Sequence, residues 1–586
     1  MMTPEELRRR IIETCSKRGG HLAPSLGAVE IALALAETFD PFVDRIVWDV
    51  GHQAYAWKLL TGREDRFDTL RSLDGIGGFP NPLESKADAA VAGHAGVALS
   101  VAEGYATARD RRGTKEHVVA VVGDSSLVNG TSFEALNCAA LAGKVILVIN
   151  DNGMSISKPA GSFSRFLGRL IAGSRYNRVK SSVRRAGYAV GLSFAHAFFH
   201  RVKARIKSFF LKDSFFREFG FRYLGPVDGH SVEALKAALE VAKSEDRSVV
   251  IHVVTQKGRG FAPAEANPTA WHGVGPFDLA AVNHQSPATK HQALSTKHLS
   301  WSAAFGAALS ELAEKDERIV ALTAGMKDGT GLAGFAEKFP KRFFDVGIAE
   351  GHMTSFAAGL AQGGMRPFVA VYSTFLQRAI DHVMHDVAIA RVPVVFCVDR
   401  AGVVGADGVT HQGLYDFAML RTIPNLVIAE PKDEADLKSL LAEALARLGP
   451  TVIRYPRGSV PEARITMDDG RSAINVGRST IWCTGDWYPK ACEIAKRVPG
   501  TTVVHARYLK PVDAELLARQ RAAGMKIVSL ENGALAGGLG EAIGADIRFG
   551  WPDEFIPHGS PAELESRYGL DVDSIVAALG GGKENA

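Results

Sequence analysis

Short apolar runs recur along this chain, each closed by polar residues and followed by a stretch with helical spacing. VVAVVGD (118–124) and KVILVINDN (144–152) are two such runs. RSVVIHVVTQKG (247–258), RPFVAVYST (366–374), VPVVFCVDRAG (392–402) and NLVIAEP (425–431) follow, then TTVVHARYL (501–509) and MKIVSLENG (525–533). Their Val and Ile residues do not alternate with polar ones, so both faces of these strands are predicted to be buried, as in parallel sheets. Alternation of strand and helix predicts doubly wound α/β domains. Ligands of such folds sit at the carboxyl ends of the strands, so chemistry is expected in the polar residues just after each run.

The pattern divides the chain into three blocks, 1–282, 299–465 and 472–586. A polar segment without strand pattern, 283–298, reads as a linker, and GGGKENA reads as a loose tail. Residues 158–216 are basic, aromatic and helical in pattern. They read as an excursion over the active site or a surface helical pair, with a membrane-surface amphipathic helix as the sharper alternative.

Composition narrows the class. With 586 residues the chain exceeds one core, and 46% apolar with 23% charged residues predicts a soluble globular protein. A net charge of +4 argues against a dedicated nucleic-acid binder. Five cysteines without CxxC spacing fit a reducing cytoplasm, with neither a disulfide framework nor a zinc site. The charged N-terminus lacks the apolar core of a signal peptide, and no apolar run reaches the roughly 18 residues that span a bilayer. A cytoplasmic protein that binds neither membrane nor nucleic acid is expected.

The strongest local signal is VVGDSSLVNG followed by VINDNGMSIS. Asp124 directly after one buried strand and Asn152 directly after the next place hard oxygen ligands at neighbouring strand ends, which suits magnesium. The turns that follow offer backbone N–H groups to phosphate. A Gly-Asp after a strand is by itself usually a turn; coupled to NDN about thirty residues on, it resembles the thiamine diphosphate motif GDG…NDN.

Further strings extend the likeness. GGHLAPSLGAVEI, RIVWDVGHQAY, YLGPVDGHS and KGRGFAPAE lie in the first block. FDVGIAEGHMTSFAAGLA, YSTFLQRAIDHVMHDVAI, DRAGVVGADGVTHQG and RYPRG lie in the second, and YLKPVD and FIPHG in the third. With them the chain resembles the 1-deoxy-D-xylulose-5-phosphate synthases, of the transketolase group. The resemblance implies a transketolase-like fold of three doubly wound parallel-sheet domains: pyrophosphate-binding, pyrimidine-binding and C-terminal. It implies a homodimer, with thiamine diphosphate and Mg2+ as cofactors and pyruvate and D-glyceraldehyde 3-phosphate as substrates. The expected product is 1-deoxy-D-xylulose 5-phosphate, a precursor for isoprenoids and thiamine.

Site residues carry over by position. Asp124, Asn152 and the Met154 carbonyl match the metal ligands. His52 contacts the cofactor; Gly93, His94 and Ala95 fill the GHS position; Ser125 and Ser126 lie against the pyrophosphate. Phe261 stands where the family has Tyr, and Lys257 and His272 are candidates in the same vein. Glu350 matches the carboxylate on the aminopyrimidine, which favours the tautomer that removes the thiazolium C2 proton. Tyr372 and Arg378 lie where the pyruvate-derived adduct is handled, and Arg400 and Arg457 match residues that grip the aldehyde's phosphate. His21, Asp407 and His411 match polar residues near the reacting carbons.

The departures sit mostly in the first block. Ser125 replaces the glycine of GDG, a change that is harmless if φ is negative there. Ala95 and Gly96 replace serines, Gly153 replaces a glutamate, and Trp57 replaces a histidine. FPNPLESKAD (79–88) matches only in part, with Ala87 in place of an aromatic, and the third block looks shortened around 474–500. These leave two other readings open: a synthase or transketolase with a different acceptor, and a cofactor-binding paralogue without turnover.

Overall fold

The computed structural model describes residues 2–153, 214–284, 299–461 and 478–580. Met154, most of 158–216 and most of the expected linker lie outside the described residues. Those described form two compact units. One falls within Met1–Leu70 and Ile76–His291, the other within Arg71–Gly75 and Gln292–Ala586.

The first unit is built on β1 (Arg45–Trp48), β2 (Val118–Gly123), β3 (Ile146–Asp151), β4 (Arg222–Asp228) and β5 (Val249–Val254), all parallel in the order β1-β2-β3-β5-β4. Both faces of this sheet are covered. Val119, Val121, Val148 and Ile251 join one apolar cluster with the helices Val29–Thr38 and Val232–Ser244. Val118, Ala120, Val122, Leu147, Ile149 and Val250 join another with Ala98–Arg112 and Gly130–Cys138. Successive residues of a strand thus enter opposite cores, which is why the runs are apolar without alternation.

In the second unit, β6 (Ile319–Thr323), β7 (Phe343–Asp345), β8 (Arg366–Tyr372), β9 (Val395–Ala401), β10 (Val427–Ala429) and β11 (Thr451–Pro456) are parallel neighbours. The third block adds β12 (Ser479–Cys483), β13 (Thr501–His505), β14 (Tyr508–Lys510), β15 (Lys526–Ala534) and β16 (Ile547–Trp551). Four of these form a parallel sheet in the order β13-β12-β15-β16.

The fifth corrects the reading of TTVVHARYL as one strand of a purely parallel domain. The chain turns at Ala506–Arg507, where the Arg507 N–H donates to the His505 carbonyl. β14 then runs antiparallel to β10, giving the order β14-β10-β11-β9-β8-β6-β7. One apolar cluster contains Val369, Phe396 and Ile428 from the larger sheet together with Trp482, Val504 and Ile527 from the smaller one. That shared core makes the second and third blocks one compact unit.

Among the described residues no helix is long and apolar enough to cross a membrane.

A charged knot lies inside the second unit. Arg454 on β11 is 2% exposed. Its Nε and Nη2 donate to Asp416 at 2.9 and 3.1 Å, and its Nη1 donates to Glu430 just after β10. Removing the cation leaves two buried carboxylates without a counter-charge. Arg454→Met is therefore expected to destabilise this unit by about 3–5 kcal/mol, read as a lowered urea midpoint.

Candidate active site

In the first unit the register sets the metal-binding candidates side by side. Gly123 pairs with Asn150, and the Asp124 N–H donates to the Asn150 carbonyl at 3.2 Å. Asp124 is 6% exposed. Burial and the neighbouring Asp151 push its carboxyl up to about 8, and no described side chain forms an ion pair with it. Asp151 is itself held: its Oδ2 lies 2.9 Å from His252 Nε2, and its Oδ1 accepts the Gly153 N–H at 3.0 Å. The Tyr223 hydroxyl lies 2.7 Å from His252 Nδ1. This chain from β4 through β5 fixes the loop that carries Asn152, and Asn150 is anchored by Gln53 and Thr255.

Three histidines gather in the same unit. The rings of His52 and His272 stack at 5.2 Å, and His21 lies 6.2 Å from each. The His21 N–H donates to the Tyr55 hydroxyl at 3.1 Å. Lys257 Nζ donates to His272 Nδ1 at 2.9 Å. Burial lowers the Lys257 amine to about 8 and, with the Lys257 charge beside it, pushes His272 well down, so that ring is neutral. Phe261 is buried edge-to-face on Trp271 at 5.1 Å.

The departures acquire physical readings. Ser125 has φ −72°, so its Cβ causes no backbone strain, and its buried hydroxyl finds no hydrogen-bond partner among the described residues. Ser126 is turned toward Asp49, whose carboxylate also accepts the N–H groups of Gly96, Val97 and Ala98. Gly93 has φ +149° and Ala95 is buried. His94 lies in the turn between these two residues. Gly153 sits at φ +65°, where a glycine is favoured. Trp57 is fully buried against Trp48, and Ala87 shares its cluster, so both are packing residues.

In the second unit Asp345 at the end of β7 accepts the N–H groups of Gly325 and Gly347, shaping the turn that presents Glu350. Glu350 opens the helix Glu350–Gln362 and is 4% exposed. A helix N-terminus favours a carboxylate, yet burial prevails and raises its pKa. Its Oε2 accepts no hydrogen bond among the described residues, and Arg378 Nη1 stands 3.8 Å away.

Tyr372, at the end of β8, is buried, and its hydroxyl is pushed up to about 12. The Arg400 guanidinium lies 4.0 Å over its ring. Gly402 and Gly413 exchange two backbone hydrogen bonds of 2.7 and 2.8 Å, closing a loop that carries Asp407 and His411. His411 Nδ1 lies 3.0 Å from the Thr410 hydroxyl. Arg457 Nη1 donates to the Val404 carbonyl at 3.1 Å. From the third block Asn532 Oδ1 accepts the Val403 N–H, and Gln412 donates to the Pro557 carbonyl. His252 and Asn532 have no motif to mark them, and Asp49 in RIVWDVGHQAY is given no role by that string; only the folded register reveals their part.

Known proteins resemble this chain along most of its length. The family model described as 1-deoxy-D-xylulose-5-phosphate synthase matches residues 2–255, and that of the transketolase pyrimidine binding domain matches 297–462. A relative named 1-deoxy-D-xylulose-5-phosphate synthase, from Desulforudis audaxviator, is 45% identical over 97% of this chain and 93% of its own length. The chain belongs to the 1-deoxy-D-xylulose-5-phosphate synthase family. Another synthase of that name, from Geobacter metallireducens, is 44% identical over 98% of this chain and 95% of its own length. A solved transketolase from Campylobacter jejuni is 18% identical, covers 99% of this chain and 98% of its own, and has a TM-score of 0.44. The synthase family depends on thiamine diphosphate and a divalent metal.

One departure from the family pattern is locked in by packing. Gly96 has φ +86°, and an added Cβ would lie 2.5 Å from Asn129 Oδ1. Restoring the family serine by Gly96→Ser is expected to cost about 1–3 kcal/mol from the backbone alone. Thermal unfolding should show the loss, and adding Asn129→Gly should recover part of it by removing the clash.

Proposed function

We propose that this enzyme condenses pyruvate with D-glyceraldehyde 3-phosphate, releasing carbon dioxide and forming 1-deoxy-D-xylulose 5-phosphate. The observation that carries the reading is Glu350: a buried carboxyl at a helix N-terminus whose Oε2 accepts no hydrogen bond among the described residues. Most buried polar side-chain atoms are hydrogen-bonded, and an open carboxylate oxygen at this position would suit a ligand donor.

The residues present fit the family's cofactors. Asp124 is a buried carboxylate that a divalent cation would stabilise in its charged form. Among the described residues no three His, Cys, Asp or Glu side chains gather as a metal cage. Magnesium would therefore draw its other ligands from Asn152, the Met154 carbonyl and phosphate oxygens, as it does where substrate phosphates complete the shell. The Ser125 hydroxyl and nearby backbone N–H groups would meet the diphosphate.

When bound, thiamine diphosphate supplies the carbanion and the electron sink for decarboxylation. The chain's own residues do the rest. Glu350 holds a proton against the pyrimidine ring nitrogen. Burial raises its pKa, which favours its holding a proton there. In the second unit Arg378 and Tyr372 would orient pyruvate and His411 would move protons at its oxygens; in the first unit His21 is the residue proposed for proton movement. Arg400 and Arg457 hold the acceptor's phosphate, a task suited to the planar guanidinium fork. We further propose three domains, at 1–282, 299–465 and 472–586, and a cytoplasmic homodimer.

Purified protein with both substrates, thiamine diphosphate and magnesium is expected to release carbon dioxide and form the deoxysugar phosphate; neither product would overturn the reading. Glu350→Gln should lower turnover by about 10²–10⁴-fold while calorimetry still shows cofactor binding. Asp124→Asn should instead weaken magnesium-dependent binding of the cofactor at least about tenfold, since magnesium draws on few protein carboxylates.

A further inference from the structure

The string YLGPVDGHS includes His230, a residue without an assigned role. It stands in the turn after β4, where its own N–H donates to Asp228 Oδ1 at 3.0 Å. The Gly229 N–H beside it donates to the Val254 carbonyl at 2.9 Å, which joins this turn to the end of β5. From there the chain enters the loop 255–258, which carries Lys257, a side chain 5% exposed.

Backbone N–H groups tie that loop down at Thr255, Gln256 and Gly258. Thr255 donates to the Asp151 carbonyl at 3.0 Å, Gln256 to His230 Nε2 at 2.8 Å and Gly258 to the Ala23 carbonyl at 2.9 Å. The first and last acceptors are main-chain groups. The middle acceptor is a side chain, and it holds the residue directly before Lys257.

A backbone N–H can only donate, so Nε2 carries a lone pair and the proton of the neutral ring sits on Nδ1. Nδ1 lies 3.2 Å from Glu30 Oε2, an acceptor that selects this tautomer. Glu30 is fixed in turn. Arg8 Nη2 donates to both its oxygens at 2.7 and 2.8 Å, and Arg8 Nε donates to the Arg259 carbonyl at 3.0 Å. Burial works to raise the Glu30 pKa, but the bonds from His230 and Arg8 prevail and hold it low, so the acceptor stays charged. A carboxylate on Nδ1–H also makes Nε2 the stronger acceptor.

We propose that His230 is a positioning residue for the reaction: its Nε2, held in one tautomer by Glu30, fixes the backbone of Gln256 and through it the place of Lys257. This rests on the reading of Lys257 as a cofactor-side residue. Burial lowers the Lys257 amine to about 8, while nearby Asp124 favours its charged form, and the amine donates to His272. Releasing Gln256 would loosen Lys257 from both neighbours.

The whole enzyme can be titrated calorimetrically with thiamine diphosphate and magnesium, alongside hydrogen exchange across residues 255–258. His230→Ala should speed exchange of the Gln256 amide and weaken cofactor binding about 3- to 10-fold, the net worth of one hydrogen bond. Rescue should depend on position. Glutamine can place an oxygen where Nε2 stood, whereas asparagine places one where Nδ1 stood. His230→Gln should therefore recover most of the affinity, and His230→Asn should not. Lys257→Met reads the underlying assignment. If it binds the cofactor like the wild type, the reading of Lys257 fails and the proposal falls with it. If Lys257→Met binds weakly and His230→Ala binds normally, the proposal alone is overturned. Weak binding in His230→Ala with glutamine no better than asparagine also overturns it, because the histidine then acts by packing alone.

Discussion

A carboxylate buried at the end of a parallel strand is unfavourable unless a donor or cation meets it, and this requirement organises the molecule. Most such groups here are answered from within the chain. Asp49 takes three backbone N–H groups, Asp345 takes two, Asp151 faces His252, and Asp416 and Glu430 share Arg454. Asp124 and Glu350 are the contrast. Asp124 has no ion pair among the described residues, Glu350 has Arg378 only at 3.8 Å, and burial raises the pKa of both. The answered carboxylates hold the scaffold; the two others are the residues proposed to meet the cofactors.

Much of the fold was legible because buried parallel strands leave continuous Val and Ile runs, as in β2, β3, β8 and β9. β1 and β7 were hidden: Ile46 and Val47 stand between Arg45 and Trp48, and Phe343–Asp345 has no Val or Ile at all, so neither displays a run. TTVVHARYL misled because apolarity reports burial but not partner, and two strands in different sheets can share one apolar run. The metal and pyrimidine candidates were legible from polar residues that no core needs. The part of Asn532 was not, since it depends on the third block folding against the loop after β9. Of the departures, Trp57 and Ala87 look like site changes in the sequence and prove to be packing, while Ser125 fits its position without strain.

The third block serves the second in a specific way. Asn532 bonds the Val403 N–H and, through the same oxygen, the Trp551 indole. A Cβ on Gly402 would collide with Asn532 at 2.2 Å, and Gly405 and Gly408 lie against Gly559 and His558 with somewhat more room. The loop with Asp407 and His411 is therefore cast against the smaller sheet. Its geometry belongs to two sheets at once, and a change on either alters the same few side chains.

β14 has a consequence for how this protein can be cut. By pairing with β10 it covers what would otherwise be an open edge of the larger sheet. Unpaired edges invite other chains to add strands. A fragment ending after the second block would expose that edge together with the apolar face that Trp482 and Val504 now cover. The small last block is thus also a seal, and a truncated protein would be a substrate for self-association before it was a simpler enzyme.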